Sequence, residues 1–109
     1  MPIEMQADGG AIDRDHLERA TFGDRALQLE LLGMLLSQVC DARSSLPALS
    51  GPERVQLAHA LKGSARGLGA FALAQCAADI EIRPDDDAVL QRFSRLADEL
   101  EISIAGLDA

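Results

Sequence analysis

Val89, Phe93, Leu96, Leu100 and Ile104 recur at steps of four, three, four and four residues, a period that only an α-helix turns into one continuous face. Leu27, Leu31, Leu35 and Val39 step by four in the same way. The period-two alternation of a half-buried strand appears nowhere in the 109 residues. The chain therefore has to bury its apolar surface by packing helices on helices.

Punctuation between the periodic stretches sets the number of helices. Residues 1–10 end in Asp8-Gly9-Gly10 and show no period, so they read as a flexible N-terminal lead-in. Asp13 is a fitting N-cap for a short helix carrying Leu17 and Ala20, which Thr21-Phe22-Gly23-Asp24 ends. A long helix is expected from Asp24 to about Ser45, with breakers from Leu46-Pro47 to Ser50-Gly51-Pro52. The third helix runs through Val55, Leu57 and Leu61 toward Gly67 and Gly69, with Pro52 in its first turn. A fourth carries Leu73, Cys76, Ala77 and Ile80 and stops at Arg83-Pro84-Asp85. Asp85, Asp86 and Asp87 then open the last helix at its positive end. The expected fold is all-α, an antiparallel up-and-down four-helix bundle over residues 11–109 with a short additional N-terminal helix.

Composition excludes several functions. Ten Lys+Arg against eighteen Asp+Glu give a net charge of -8, which argues against nucleic acid or anionic lipid as partner. A 48% hydrophobic content is too high for disorder. One domain of this length buries roughly two-thirds of its unfolded surface, enough for a core without a metal or disulfide. Cys40 and Cys76 lie in apolar stretches and read as reduced core thiols. With no signal peptide and no membrane-length apolar run, the protein is expected to be cytoplasmic.

The third helix carries the chemistry. At about 100° per residue, Leu57, Leu61, Ser64 and Leu68 share one direction, taken as the core stripe, and His59 points nearly opposite. Lys62, Gly63 and Arg66 flank His59 one and two turns along that outer face. A lone surface histidine is ordinarily one more solvated polar residue. Gly63 is harder to explain so, because glycine inside a helix costs about 1 kcal/mol relative to alanine and an ordinary surface gains nothing from it. A flat surface beside an imidazole lets another protein reach its nitrogen, and Lys62 and Arg66 could neutralise an anion there. Both features suit a phosphoryl group.

The segment His59-Ala60-Leu61-Lys62-Gly63-Ser64, followed by Gly69-Ala70, Leu73, Cys76 and Glu81, resembles the signature of histidine-containing phosphotransfer (HPt) domains. The resemblance extends from about Ala11 to Leu107. It implies a phosphocarrier of a two-component phosphorelay, with His59 accepting a phosphoryl group from a receiver-domain aspartate and passing it to another receiver. It further implies Lys62 as charge partner and Gly63 as the access position. Arg66, whose role rests on helix geometry alone, and Ser64 would be supporting residues. No carboxylate cluster adjoins His59 in the sequence, so Mg²⁺ is expected from the partner receiver, with no cofactor, ATP site or autokinase activity in this chain. Expected partners are receiver domains or a hybrid histidine kinase, and the expected state is a monomer. With no kinase core or receiver in the sequence, a stand-alone protein is the expectation, with a piece of a larger hybrid kinase as the alternative. The other functional reading is a helical module that regulates a receiver or kinase without carrying phosphate.

The second helix carries a further seam, Leu29, Gly33, Leu36 and Cys40. The short first helix, with Leu17 and Phe22, is expected to cover part of it. The functional alternative leaves one end exposed, so that Val55, Gly63, Leu29, Gly33 and Leu36 form a docking surface. Gly63 to Gly69 lacks the order of a nucleotide-binding loop and follows no strand. The Asp85–Asp87 run reads as a helix opening, with no metal site, and His16 as a solvated surface residue. Ser64 has no base within reach and is expected to bond the carbonyl one turn back.

Overall fold

The computed structural model describes residues 11–108, so the lead-in expected over residues 1–10 lies outside the described residues, as does residue 109. Five α-helices follow in order: α1 (Arg14–Ala20), α2 (Arg25–Ser45), α3 (Gly51–Gly67), α4 (Phe71–Ile82) and α5 (Asp87–Asp108), with a 3₁₀ turn at Leu46–Ala48 between α2 and α3. No strand occurs among the described residues.

At four of the five helix starts among the described residues a side chain satisfies an orphan amide, while α4, which begins after Ala70, has no such cap. The Asp13 carboxylate accepts from the His16 N–H at 3.0 Å, and Asp24 accepts from Leu27 N–H at 3.0 Å. Ser50 and Glu53 form a reciprocal capping box, the Glu53 carboxylate accepting from Ser50 N–H at 2.9 Å and the Ser50 hydroxyl from Glu53 N–H at 3.3 Å. These bonds, the backbone one first, hold the Glu53 carboxyl below its ordinary range. Asp86 accepts from Ala88 N–H at 2.9 Å, which gives the acidic run its place at the opening of α5.

The core is built on Phe93, Leu32, Leu35, Leu61, Ile80, Leu100 and Val39, all fully buried. Its register differs from the expected stripes on α2 and α3, and on α5 Ala97 and Ser103 are buried beside a half-buried Leu96 and Ile104. On α2 the buried row is Leu32, Leu35, Val39 and Ala42, with Leu27 and Leu31 only half-buried. On α3 it is Ala58, Leu61 and Ala65, with Leu57, Ser64 and Leu68 half-buried at the flank. Alanine accounts for the shift on α3: Ala58 and Ala65 there, and Ala70, Ala74 and Ala77 at and along α4, are all at most 2% exposed. Small side chains let α3 and α4 approach closely, and the antiparallel pair they form carries the site.

Helix α1 lies across the α3–α4 turn. Asp13 N–H donates to Gly69 O at 2.9 Å. His16 Nε2 donates to Gly67 O at 3.1 Å, and its ring meets Phe71 edge-on with centroids 5.1 Å apart. His16 is thus a half-buried strut, which corrects its reading as a solvated residue. The expected cover by Phe22 is also corrected. Leu17 is buried, but Phe22 is 94% exposed, because the chain reverses at a left-handed Phe22 (φ 54°) and Gly23 (φ 73°) and aims the ring into solvent.

Leu36 instead packs against the buried core, and Arg43, in phase with it seven residues on, pairs with Asp98 of α5. That flank of α2 therefore turns toward α5. Both cysteines are free. Cys76 is buried, which pushes its thiol up, while Cys40 is half-buried beside the Arg43 guanidinium. Among the described residues no helix is long and apolar enough to cross a membrane.

Candidate functional site

His59 projects from the middle of α3 with its side chain 74% exposed. Leu61 and Ala58, on the opposite face, fix the rotation of the helix by burial. The ring does not stand alone. Its Nδ1 lies 2.9 Å from Oε2 of Glu81 on α4, and Oε1 of the same carboxylate lies 2.6 Å from Nζ of Lys62. One carboxylate thus ties the histidine and the lysine of α3 to the neighbouring helix.

The charge on Glu81 decides the imidazole's chemistry. Hydrogen bonds from Lys62, and after it from His59, hold the Glu81 carboxyl below the ordinary glutamate range, so it is ionised at neutral pH. An ionised carboxylate only accepts hydrogen bonds. Nδ1 therefore carries the hydrogen and donates it to Glu81, which leaves the Nε2 lone pair of the neutral ring free and solvent-facing. This is the tautomer a nucleophile acting through Nε2 requires.

Lys62 occupies a different electrostatic position from the one its spacing suggests. Its ammonium, three-quarters buried, is already paired with Glu81 on the Nδ1 side, and the two charges offset one another. Arg66 is exposed two turns along and makes no ion pair among the described residues. Gly63 is exposed, and a Cβ built there would meet no atom within 4 Å, so the fold itself does not require a glycine at this position. Its absent side chain leaves clear space one turn from the imidazole.

The remaining candidates are more scattered. Val55 is half-buried one turn before His59 on the flank facing α4. Ser64 is half-buried on another side of α3, and the expected bond from its hydroxyl to the carbonyl one turn back is not formed. Leu29 and Leu36 are half-buried and Gly33 exposed on the α5-facing flank of α2, and none of them contacts the His59–Glu81–Lys62 group through a hydrogen bond or ion pair. Glu81, quoted in the signature but given no role there, is the residue the structure adds to this group. Its only local signal is a second acidic residue, after Asp79, in the last turn of α4, Asp79-Ile80-Glu81-Ile82. Among the described residues, no group of three or more His, Cys, Asp and Glu side chains is arranged around a metal position.

The family model described as Hpt domain matches residues 29–107, and the chain belongs to the Hpt domain family, whose members take part in phosphotransfer in two-component signalling. No curated protein and no solved structure gives a significant match.

Proposed function

We propose that this chain is a phosphocarrier, in which His59 accepts a phosphoryl group from the aspartate of one receiver domain and hands it to another. The observation that carries this reading is the pinned tautomer, with Nδ1 donating to Glu81 at 2.9 Å and Nε2 left free on an exposed ring. The four longer helices, α2 to α5, form the up-and-down bundle that presents it.

The step needs little from this chain beyond position and charge. The Nε2 lone pair attacks phosphorus in line, the N–P bond forms, and the bond from phosphorus to the receiver's aspartyl oxygen breaks, with the electron pair leaving on that carboxylate. No proton need leave during the attack. Nδ1 keeps its hydrogen, and the positive charge that develops on the ring is stabilised by Glu81 directly against it. Lys62 sits on the same carboxylate and can swing its flexible ammonium toward the phosphoryl oxygens once they arrive. Gly63 admits the receiver's loops, and Arg66 adds positive charge farther along the face. Mg²⁺ and the carboxylates that hold it belong to the receiver, and the carrier works in the cytoplasm as a monomer without an ATP site.

Mixing the protein with a phosphorylated receiver domain tests this reading. Label should leave the receiver and appear on wild-type protein, and His59→Gln should take none. A wild-type chain that binds receivers yet never acquires label would be a regulatory module instead.

A further inference from the structure

Resting on the phosphotransfer reading, we infer that Arg54 is a positioning residue for the transfer step: its guanidinium ties the end of α4 to the start of α3 and so keeps Glu81 against Nδ1 of His59. Arg54 sits five residues before His59, and its side chain is only 14% exposed. Its Nη1 donates to Pro84 O at 2.8 Å, three residues beyond Glu81, and reaches the Asp85 carboxylate at 3.4 Å. Nε donates to Leu46 O at 2.9 Å and Nη2 to Pro47 O at 3.3 Å. One guanidinium thus joins the α2–α3 connection to the α4–α5 connection.

The α3–α4 pair is closed covalently at one end only. Residues 68–70 join the two helices, and Ala65, Ala70 and Ala74, each at most 2% exposed, lie buried beside that turn. Glu81 stands ten residues along α4, about 15 Å from the turn at 1.5 Å per residue. At that lever length a pivot of about 5° displaces its carboxylate by about 1.3 Å, which carries a 2.9 Å contact past hydrogen-bond range. Burial of Ile80 holds α4 to the core without direction. A planar fork with its donors on fixed carbonyls holds a distance and an angle.

Among the described residues, the side-chain hydrogen bonds and ion pairs that join α3 to the far end of α4 are those of Glu81 and those of Arg54. The Glu81 contacts are the ones that need aiming, which leaves Arg54 as the tie that takes no part in the reaction itself. Its Nε, Nη1 and Nη2 are all engaged within the fold, and it does not touch the imidazole. Arg54 therefore acts on the transfer step through Glu81, and its removal costs no more rate than removal of Glu81. A role confined to stability has a different signature: the bundle weakens, while His59 in the folded protein keeps its Nδ1–H tautomer.

The test compares Arg54→Ala, Arg54→Lys, Glu81→Ala and the double variant Arg54→Ala/Glu81→Ala, with Gly69→Ala as a destabilised control at the turn end of the helix pair. Two readouts are taken on folded protein: ¹⁵N spectra of the neutral His59 ring, and transfer from a receiver domain phosphorylated with acetyl phosphate and chosen because it labels wild-type protein. Arg54→Ala should let the Nε2–H tautomer appear and lower the maximal rate roughly threefold to tenfold, with the half-saturating receiver concentration unchanged. In the Glu81→Ala background the same substitution should change the rate by less than about twofold. Arg54→Lys, which keeps the charge without the planar fork, should shift the tautomer part of the way, and it carries the test should Arg54→Ala not fold. Gly69→Ala should keep the wild-type tautomer. A wild-type tautomer in the folded Arg54 variants, an equal rate loss in the Glu81→Ala background, or as large a tautomer shift in Gly69→Ala overturns the assignment and leaves the phosphotransfer reading intact. If no receiver labels wild-type protein, the phosphotransfer reading falls, while the tautomer still decides whether Arg54 aims Glu81.

Discussion

Glu81 Oε2 lies 2.9 Å from Nδ1 of His59, across the gap between α4 and α3. This one contact assigns the two ring nitrogens different duties, because the nitrogen that faces a carboxylate keeps its hydrogen and the other presents a lone pair. The scaffold thereby orients the imidazole before any partner arrives.

Removing that carboxylate should slow transfer without unfolding the bundle. Glu81→Ala is expected to lower the phosphotransfer rate roughly tenfold, the value of one charge-assisted hydrogen bond, and to let the Nε2–H tautomer of His59 appear in ¹⁵N spectra. Glu81→Gln, whose amide oxygen still accepts from Nδ1, should retain most of the tautomer preference. A Glu81→Ala protein with wild-type rate and tautomer would remove the positioning role.

Lys62 should matter more after transfer than before it. With its ammonium held by Glu81 in the resting protein, Lys62→Ala should leave the fold intact while shortening the lifetime of the phosphoryl group and slowing its arrival, by roughly tenfold. Following the decay of labelled protein over time measures this directly.

Gly63 separates stability from function. Since a Cβ there meets open space, Gly63→Ala should stabilise the helix by about 0.5–1 kcal/mol, read as a higher thermal midpoint. Gly63→Leu should also fold but should obstruct the receiver, raising the half-saturating concentration. A bulky residue with undiminished transfer would remove the access role.

Acid should weaken the α3–α4 and α4–α5 contacts in a predictable direction. The Glu81 carboxyl is held low by Lys62 and then His59, and the Asp79 carboxyl by its bonded Arg92 guanidinium. In the unfolded chain both titrate near the ordinary value of about 4. Their contribution is therefore complete above that value and is lost as pH falls through the lower folded values. Urea midpoints should be flat near neutrality and fall below about pH 4, with a shallower fall in Glu81→Gln and in Asp79→Asn.

Gly69 is the position where backbone conformation is obligatory. It sits at φ 87°, and a Cβ would lie 2.9 Å from the carbonyl oxygen of Asp13. Gly69→Ala should destabilise the protein by about 1–3 kcal/mol and detach α1 from the α3–α4 turn, seen as faster amide exchange in Asp13, whose N–H is bonded to Gly69 O.

What could be read locally and what could not divides along physical lines. His59, Lys62 and Gly63 share one helix, so the 100° step alone places them on a common face. The Asp13 cap was equally legible, because it acts on an amide three residues away; Asp24 and Ser50, read only as a helix start and a breaker, cap in the same way. Glu81 and the true partner of Lys62 required knowing how α3 meets α4, a tertiary fact. Alanine misled the stripe on α3, since a residue with one methyl carries a weak hydropathy signal and yet marks the closest packing, as Ala58 and Ala65 do. His16 was misjudged for the same reason as Glu81: its acceptor, Gly67 O, is 51 residues away.

The central claim is that Nε2 of His59 carries the phosphoryl group. Wild-type protein incubated with a phosphorylated receiver and Mg²⁺, then analysed by mass spectrometry and ³¹P–¹⁵N correlation, should hold acid-labile, base-stable phosphate bonded to Nε2 of His59. Phosphate on any other residue, or label undiminished in His59→Gln, would contradict it.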